Sequence, residues 1–505
     1  MEQNNYHKKD LLIQDVETVT SNPTQNNNNT TTNRSQIEEP KITLYKRRFL
    51  ALILFSLCTS INSCGWICFA PIGDVLQKNY GVSIFIINYL SQIYMIMYLP
   101  LNFPSVYALD KLGLRWGVLI GIALTALGLW VRCLINYSFA WVIVGQTILA
   151  IAQPFTYNAP AKLSANWFGE KERVYATSFG ANASTFGIAA GFFLPSVFIS
   201  DDISQSEDFV RQQTFWLLMT VSIAGSVILL LVIFLLQDKP PTCPTVSQQM
   251  NSEVMAQFSL KKDCVQLVRN KSFVFTGLAS SLMMGFFFAF TTVLEQMVVI
   301  YNFSLTQTSY LGSIYQFAGI GGGIVTSIVL TYFPRYKPTS IVIASLTFLS
   351  YIKVHFAIYS QSFAFLVVAI IFNGFFCLSI FSVAFELGVE LSFPVGEASS
   401  GGLINSVANV IGFVVVFIMT PILNNNQGID VMICSIIFGV MLLMALSLYV
   451  FTDFKLKRAI YEQEQQMKRS QLQQQQASDI ESERLKLLAV YKKRNQDDLQ
   501  NNIDY

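Results

Sequence analysis

Apolar runs of about 20 residues recur along this chain from residue 49 to residue 452, each closed by a short polar interruption. A run of that length, at about 1.5 Å per residue, crosses the roughly 30 Å hydrocarbon core of a bilayer as one helix. Twelve such spans are expected, near 49–72, 86–109, 115–135, 139–167, 174–199, 213–236, 273–300, 307–333, 338–359, 362–390, 398–422 and 429–452. They fall into two groups of six: an N-terminal half over 46–236 and a C-terminal half over 273–452. The loop between them, 237–272, contains DKPPTCPTVSQQM and reads as a cytosolic tether. Polar tails flank the whole, 1–45 and 453–505, the first with NNNNTTTNR and the second with EQEQQMKRSQLQQQQ. The first is expected to be disordered and the second a solvated appendage. The expected fold class is therefore an all-α polytopic membrane protein of twelve transmembrane helices.

Composition agrees, because 52% of the residues are apolar and only 13% charged, where a soluble domain carries about a quarter. The net charge of +2 says little, but its distribution sets an orientation. Lys46, Arg47 and Arg48 precede the first span, Lys111 and Arg115 join spans two and three, and Lys171 and Arg173 join four and five. Arg335 and Lys337 join eight and nine, and Lys455 and Lys457 follow the last span; the opposite loops carry little beyond Lys78 and Arg211. By the positive-inside rule both termini are expected in the cytosol, as an even number of spans requires. The first 44 residues are polar, so no cleavable leader is expected and the first span is expected to act as its own insertion signal. The plasma membrane is the expected location, with an endomembrane as the alternative.

Several chemistries are poorly supplied. There are two histidines, His7 and His355, and no GxxxxGK[ST] phosphate loop, so neither a histidine-based catalytic site nor ATP-driven transport is expected. The glycine-rich FAGIGGGIV at 317–325 lies inside a span, and Gly319 and Gly323 read as a packing face instead of a nucleotide loop. Six of eight cysteines fall in spans, and no disulfide is expected. No cofactor, metal, catalytic residue or nucleic-acid partner is expected; the partners are the bilayer and a small-molecule substrate, and the chain is expected to be a monomer.

Within the first span, SINSCGWICFAPIG places Asn62 and Trp66 four residues apart, hence on one helix face, an amide and an indole suited to line a cavity. Cys64 and Cys68 read as small apolar filler. Gln153 is a polar residue in an apolar run and is expected to face the interior. GANASTFGIAAGFFLP in span five and GGLINSVANVIGFVVVFIMTP in span eleven form a faint internal repeat, a pattern found in transporters whose halves rock about a central site.

ALDKLGLRWG at 108–117, between spans two and three, resembles the signature loop of the major facilitator superfamily. Asp110 there is expected to complement the positive N-terminus of a facing helix, span eleven, which begins EASSGG. Gly113 permits the reversal and Arg115 helps hold the loop in the cytosol.

A narrower resemblance rests on IYMIMYLPLNFPSVYALDKLGLR (93–115), AIAQPFTYNAPAKLSANWFG (150–169), GIAAGFFLPSV (187–197), TTVLEQM (291–297) and FELGVELSFPVGEASSGGLIN (385–405). These stretches are similar to the feline leukaemia virus subgroup C receptor-related family. The resemblance implies the facilitator fold of two six-helix halves and transport of choline and ethanolamine, with haem export as an older assignment.

It also implies site residues. Trp66 matches the family's cavity tryptophan, and Phe288 stands where the family has a tyrosine, keeping the ring face and losing the hydroxyl. A quaternary ammonium cannot donate a hydrogen bond, so aromatic faces are what holds it, at about 0.5 to 2 kcal/mol each. Tyr94 and Met95 match positions beside the substrate, and Thr185 and Asn409 replace family amides with shorter polar groups. Glu295 replaces an uncharged amide, and is expected either to concentrate cations at the entrance or to pair with Lys353 beside His355. Glu386 and Glu390 match family positions, with gating or structural pairing expected.

The expected function is a facilitative carrier of choline, ethanolamine or a related organic cation by alternating access. The alternatives are a haem exporter, for which the Cys243-Pro244 dipeptide is a weak signal, and a nutrient sensor with vestigial transport. An organic-anion carrier would be expected to recruit a buried arginine, and Arg132 is expected at an outer helix end.

Overall fold

The computed structural model describes residues 44–452 except 200–205, 243–259, 334, 393–396 and 425–427, together with a few positions between 460 and 474. Both tails therefore lie almost wholly outside the described residues. The described elements are helical. In chain order they are α1 (Arg47–Ile67), a 3₁₀ turn (Ala70–Ile72), α2 (Gly73–Tyr80), α3 (Ile84–Leu112), α4 (Leu114–Arg132), a second 3₁₀ turn (Cys133–Asn136), α5 (Ala140–Tyr157) and α6 (Pro160–Trp167). There follow α7 (Glu170–Phe198), α8 (Glu207–Leu235), α9 (Leu260–Arg269), α10 (Lys271–Val299), α11 (Leu305–Tyr332), α12 (Tyr336–Tyr359), α13 (Phe363–Ser392), α14 (Glu397–Leu423) and α15 (Gly428–Phe451).

Among the described residues, eleven helical segments are long and apolar enough to cross a membrane. The remaining expected span, 139–167, is divided: α5 carries Gln146, Gln153 and Pro154, the chain turns at Asn158, and α6 resumes with Pro160 in its first turn. Proline at that position costs nothing, because the first N–H groups of a helix have no partner in any case. Other boundaries are equally local. Gly81 closes α2 in the left-handed conformation at φ 64°, and Ser304 and Gln307 form a reciprocal capping box at the start of α11.

The N-terminal six crossings pack through α1 against α7 and α5, α4 against α5 and α8, and α3 against α5. The C-terminal six pack through α11 against α13, α10 against α14 and α15, and α12 against α13 and α15. The most extensive seams between the groups are α7 with α11 and α3 with α14, and α10 also meets the first 3₁₀ turn, α2 and α3. Helix association in lipid cannot draw on the hydrophobic effect, so close backbone approach matters. A Cβ at Gly322 would lie 1.8 Å from the Phe375 carbonyl oxygen, and one at Gly187 would lie 2.1 Å from that of Ser60. In FAGIGGGIV the tightest contact is thus at Gly322, with Gly319 pressed on Leu378 and Gly323 looser against Ser382.

An even number of crossings brings residues 44 and 452 to one face, the terminal face; the α2 and α10–α11 connections lie on the distal face. The named α7–α11 contacts fall in the distal halves of both helices: Ser313 Oγ donates to the Ala189 carbonyl at 3.0 Å, Phe193 stacks on Tyr310, and Phe186 meets Phe317 edge to face. The α3–α14 seam is closed at both ends, by Asn88 donating to Thr420 Oγ1 at 2.8 Å and Asn102 donating to Ser406 Oγ at 3.4 Å.

Candidate functional site

The segment SINSCGWICFAPIG is a helix that breaks. α1 ends at Ile67, Cys68 N–H donates to Cys64, and Pro71, which has no N–H, sits in the 3₁₀ turn that follows. Trp66 is on the last turn before the break, 2% exposed, and its indole N–H donates to the Ser91 carbonyl of α3 at 3.1 Å.

Three rings from three helices and both halves meet there. The Trp66 ring centroid lies 6.0 Å from that of Phe288 on α10, at 76° between planes, and 6.3 Å from that of Tyr94 on α3, at 44°. Phe288 is 6% exposed and is backed by Phe287 and by Phe381 of α13. Met95 is brought to the same place: a Cβ at Gly412 of α14 would stand 3.1 Å from Phe288 Cβ and 3.4 Å from Met95 Sδ. The Tyr94 hydroxyl is buried and has no hydrogen-bond partner among the described residues. Edge-to-face rings present the faces that attract a cation, but two rings in mutual contact must part before an ammonium group reaches both.

Asn62 does not join this cluster. It is fully buried, and its amide donates to Thr125 Oγ1 and to the Leu149 carbonyl, both at 3.1 Å, inside the packing of α1 against α4 and α5. A spacing of four residues placed it on the same stripe as Trp66, but one turn earlier α4 and α5 close over the helix and take the amide.

Toward the terminal face lies a polar belt. Gln153 reaches the Tyr157 hydroxyl, which Ser63 approaches at 3.4 Å and Ser184 also contacts. The Tyr157 ring lies 6.4 Å from that of Tyr98, whose hydroxyl donates to Asn158 at 3.1 Å and also contacts Asn405 of α14. Thr185 is buried beside Ser184, and Asn409 is buried one turn beyond Asn405, to whose carbonyl it donates at 2.8 Å. Tyr157, Tyr98 and Ser63 escaped the sequence reading; the available signal was a hydroxyl-bearing residue one turn from Trp66 and tyrosines two or three residues from prolines in apolar runs.

The distal side is tied between halves. Glu295, 4% exposed, accepts from the Asp74 backbone N–H at 3.2 Å, and Asp74 in turn holds Lys78 at 2.6 Å. Beside it Gln296 exchanges amide hydrogen bonds with Asn88. The pairing of Glu295 with Lys353 is not found: Lys353 Nζ sits over the Phe372 ring at 5.6 Å, and the His355 ring lies against Tyr359 at 4.8 Å.

On the terminal side, Gly113 turns the chain at φ 91°, and its loop meets Asp238, three residues past the end of α8 at the start of the 237–272 connection. Asp238 Oδ1 accepts from the Arg115 backbone N–H at 3.0 Å, a carboxylate at the N-terminus of α4, while the Arg115 guanidinium donates to the Ile233 carbonyl at 3.0 Å. The Asp110 side chain lies outside the described residues. Glu386 is exposed and accepts from the Tyr336 hydroxyl at 3.4 Å, a contact of α13 with α12, and Glu390 is half-buried on the same helix.

Residues 55–417 match the Major Facilitator Superfamily model. The chain is 30% identical to the choline/ethanolamine transporter FLVCR1 of Felis catus over 74% of its own length and 67% of that protein's. It is 29% identical to the choline/ethanolamine transporter FLVCR2 of Rattus norvegicus over 84% and 78%. Among solved structures, a bacterial homologue of the human lysosomal transporter Spinster, inward-facing and occupied, superposes with a TM-score of 0.60 at 10% identity, covering 81% of this chain and 97% of that one. A D-xylose–proton symporter does so with a TM-score of 0.60 at 14% identity, covering 80% and 98%. With its all-helical fold and that match over most of its crossings, the chain is a multi-pass membrane transporter of the major facilitator superfamily, belonging to the FLVCR-type family.

Proposed function

We propose that the chain carries choline, ethanolamine or a related small organic cation down its gradient by alternating access, with Trp66 and Phe288 as the faces that receive the ammonium group. The observation that carries this reading is the meeting of Trp66 and Phe288, one ring from each half, at 6.0 Å. A site divided between halves is made and unmade as they rock, which alternating access requires. Tyr94 and Met95 complete the aromatic and polarizable lining, while Gln153, Thr185 and Asn409 stand toward a substrate hydroxyl. The named relatives are choline/ethanolamine transporters, which supports the substrate class.

The division into halves at 46–236 and 273–452, with 237–272 as tether, belongs to this proposal. So do cytosolic tails, a monomeric state and the plasma membrane, on the strength of the basic terminal-side loops. In that orientation the contacts at Glu295, Asn88 and Ser313 lie toward the extracellular side, and those at Asn102 and Tyr98 toward the cytosol.

Uptake of labelled choline in cells lacking their own carrier, competed by choline, ethanolamine, betaine and haem, tests the proposal. Competition by the two amines and loss of uptake in Trp66→Ala at unchanged surface level are expected. Wild-type uptake that survives Trp66→Ala overturns the site, and transport of haem without choline overturns the substrate class.

A further inference from the structure

Arg132 ends α4 and is 0% exposed, although a guanidinium carries its charge at every physiological pH. No carboxylate meets it among the described residues. Leaving such a charge uncompensated costs several kcal/mol, so its surroundings must answer for it.

They do so with the broken end of α1. Arg132 Nη1 donates to the Gly65 carbonyl at 2.8 Å, to Gln146 Oε1 at 3.0 Å and to Cys68 Sγ at 3.5 Å, and the guanidinium lies over the Phe69 ring at 5.3 Å. Gln146 Nε2 donates to the Gly65 and Trp66 carbonyls at 3.3 and 3.1 Å. Those two carbonyls receive no backbone N–H, because the helix stops before Phe69 and Ala70 can supply one. The end of α1 is also the negative pole of its dipole, which favours a cation there. Approach is possible because Gly145 faces Arg132: a Cβ at Gly145 would stand 2.6 Å from Arg132 Cγ. Among the described residues Nε and Nη2 find no hydrogen-bond partner, so the contacts made by Nη1 and the Phe69 ring are what places the group.

We propose that Arg132, with Gln146, is a positioning residue of the transport site: it splints the open end of α1 and thereby holds Trp66 in register with Phe288. The inference rests on the reading of Trp66 as the ring that receives the cation. Trp66 is held from two sides, its carbonyl by Gln146 and its indole N–H by the Ser91 carbonyl. The splinted end runs through the 3₁₀ turn into Gly73 and Asp74, the contact point of Glu295. Arg132 touches no reacting or transported group; it acts through the backbone of residues 65–69.

Two measurements on the full-length protein test this. In the uptake assay, Arg132→Met is expected to raise KM for choline roughly 10- to 100-fold, the worth of one charge-assisted hydrogen bond, with kcat per surface molecule nearly unchanged. Adding Trp66→Phe to Arg132→Met is expected to raise KM less than Trp66→Phe does alone, because residues acting as a unit are not additive. Arg132→Lys, which keeps the charge and one donor, is expected to recover much of the difference. In purified protein, hydrogen exchange over residues 66–74 is expected to quicken in Arg132→Met and in Gln146→Met, the latter serving where burial of methionine at 132 prevents folding.

Unchanged exchange over 66–74 in the variant that folds, or full additivity with Trp66→Phe, overturns the inference. A wild-type protein that transports none of the amines overturns the cation reading instead. The exchange measurement, which needs no substrate, still decides whether the splint exists.

Discussion

The Glu295 carboxylate on α10 accepts a hydrogen bond from the Asp74 backbone N–H at the start of α2, across 3.2 Å and 221 residues of sequence. Glu295 stands two helical turns from Phe288, and Asp74 eight residues past Trp66, so the same two chain segments carry both the aromatic meeting point and this clasp. A Cβ at Gly73 would lie 3.0 Å from Glu295 Oε2, so even alanine there crowds the carboxylate.

If the clasp exists only in the distally closed state, Glu295→Ala shifts the equilibrium toward the open one by up to about 1.5–3 kcal/mol, roughly a 10- to 100-fold change in ratio. A cysteine placed at Asn88 is then expected to react faster with an impermeant thiol reagent in Glu295→Ala than in its absence. Equal labelling rates would show that the contact does not hold the two halves together.

Phe288→Leu tests whether ring or mere bulk matters. Leucine keeps an apolar wall and removes the quadrupole, so KM for choline is expected to rise roughly 2- to 30-fold. Inhibition by the neutral carbon isostere 3,3-dimethylbutanol should change little. A parallel loss for both compounds would point to packing in place of cation attraction.

Helix contact at Gly322 makes a paired prediction. Gly322→Ala drives a methyl group into the Phe375 carbonyl and is expected to destabilise by at least about 1–3 kcal/mol. Gly321→Ala meets nothing within 4 Å and is expected to be neutral or slightly stabilising. Thermal melting in detergent ranks the two; equal melting temperatures would contradict the close α11–α13 approach.

Asp238 holds the N-terminus of α4 through Arg115 N–H, so Asp238→Ala is expected to cost about 0.5–2 kcal/mol, the usual worth of a lost helix cap. Gly113→Ala is expected to be worse, since its φ of 91° disfavours a side chain and the new Cβ would lie 2.6 Å from Asp238 Oδ1. Surface abundance read by biotinylation checks both, and an Asp238→Ala protein as abundant and heat-stable as wild type would remove the cap from the account.

The sequence by itself determined eleven of the twelve spans expected, the exception being 139–167. In hydrocarbon every backbone polar group must be satisfied within its own segment, so an apolar run of sufficient length is a crossing helix whatever its neighbours. Trp66, Phe288, Tyr94 and Met95 were singled out through resemblance, and the fold brings their side chains together. What the tertiary structure decided is where polar groups find partners. Asn62 shares a helical stripe with Trp66, yet Thr125 and Leu149 claim its amide. Glu295 meets a backbone N–H and not Lys353, and the backbone just past Gly113 meets Asp238 in the connection after α8. Arg132, expected at an outer helix end, is fully buried there, where it donates to a carbonyl left without a backbone partner by the break in α1. Such partners lie tens to hundreds of residues apart, and helical periodicity specifies a face without specifying which helix covers it.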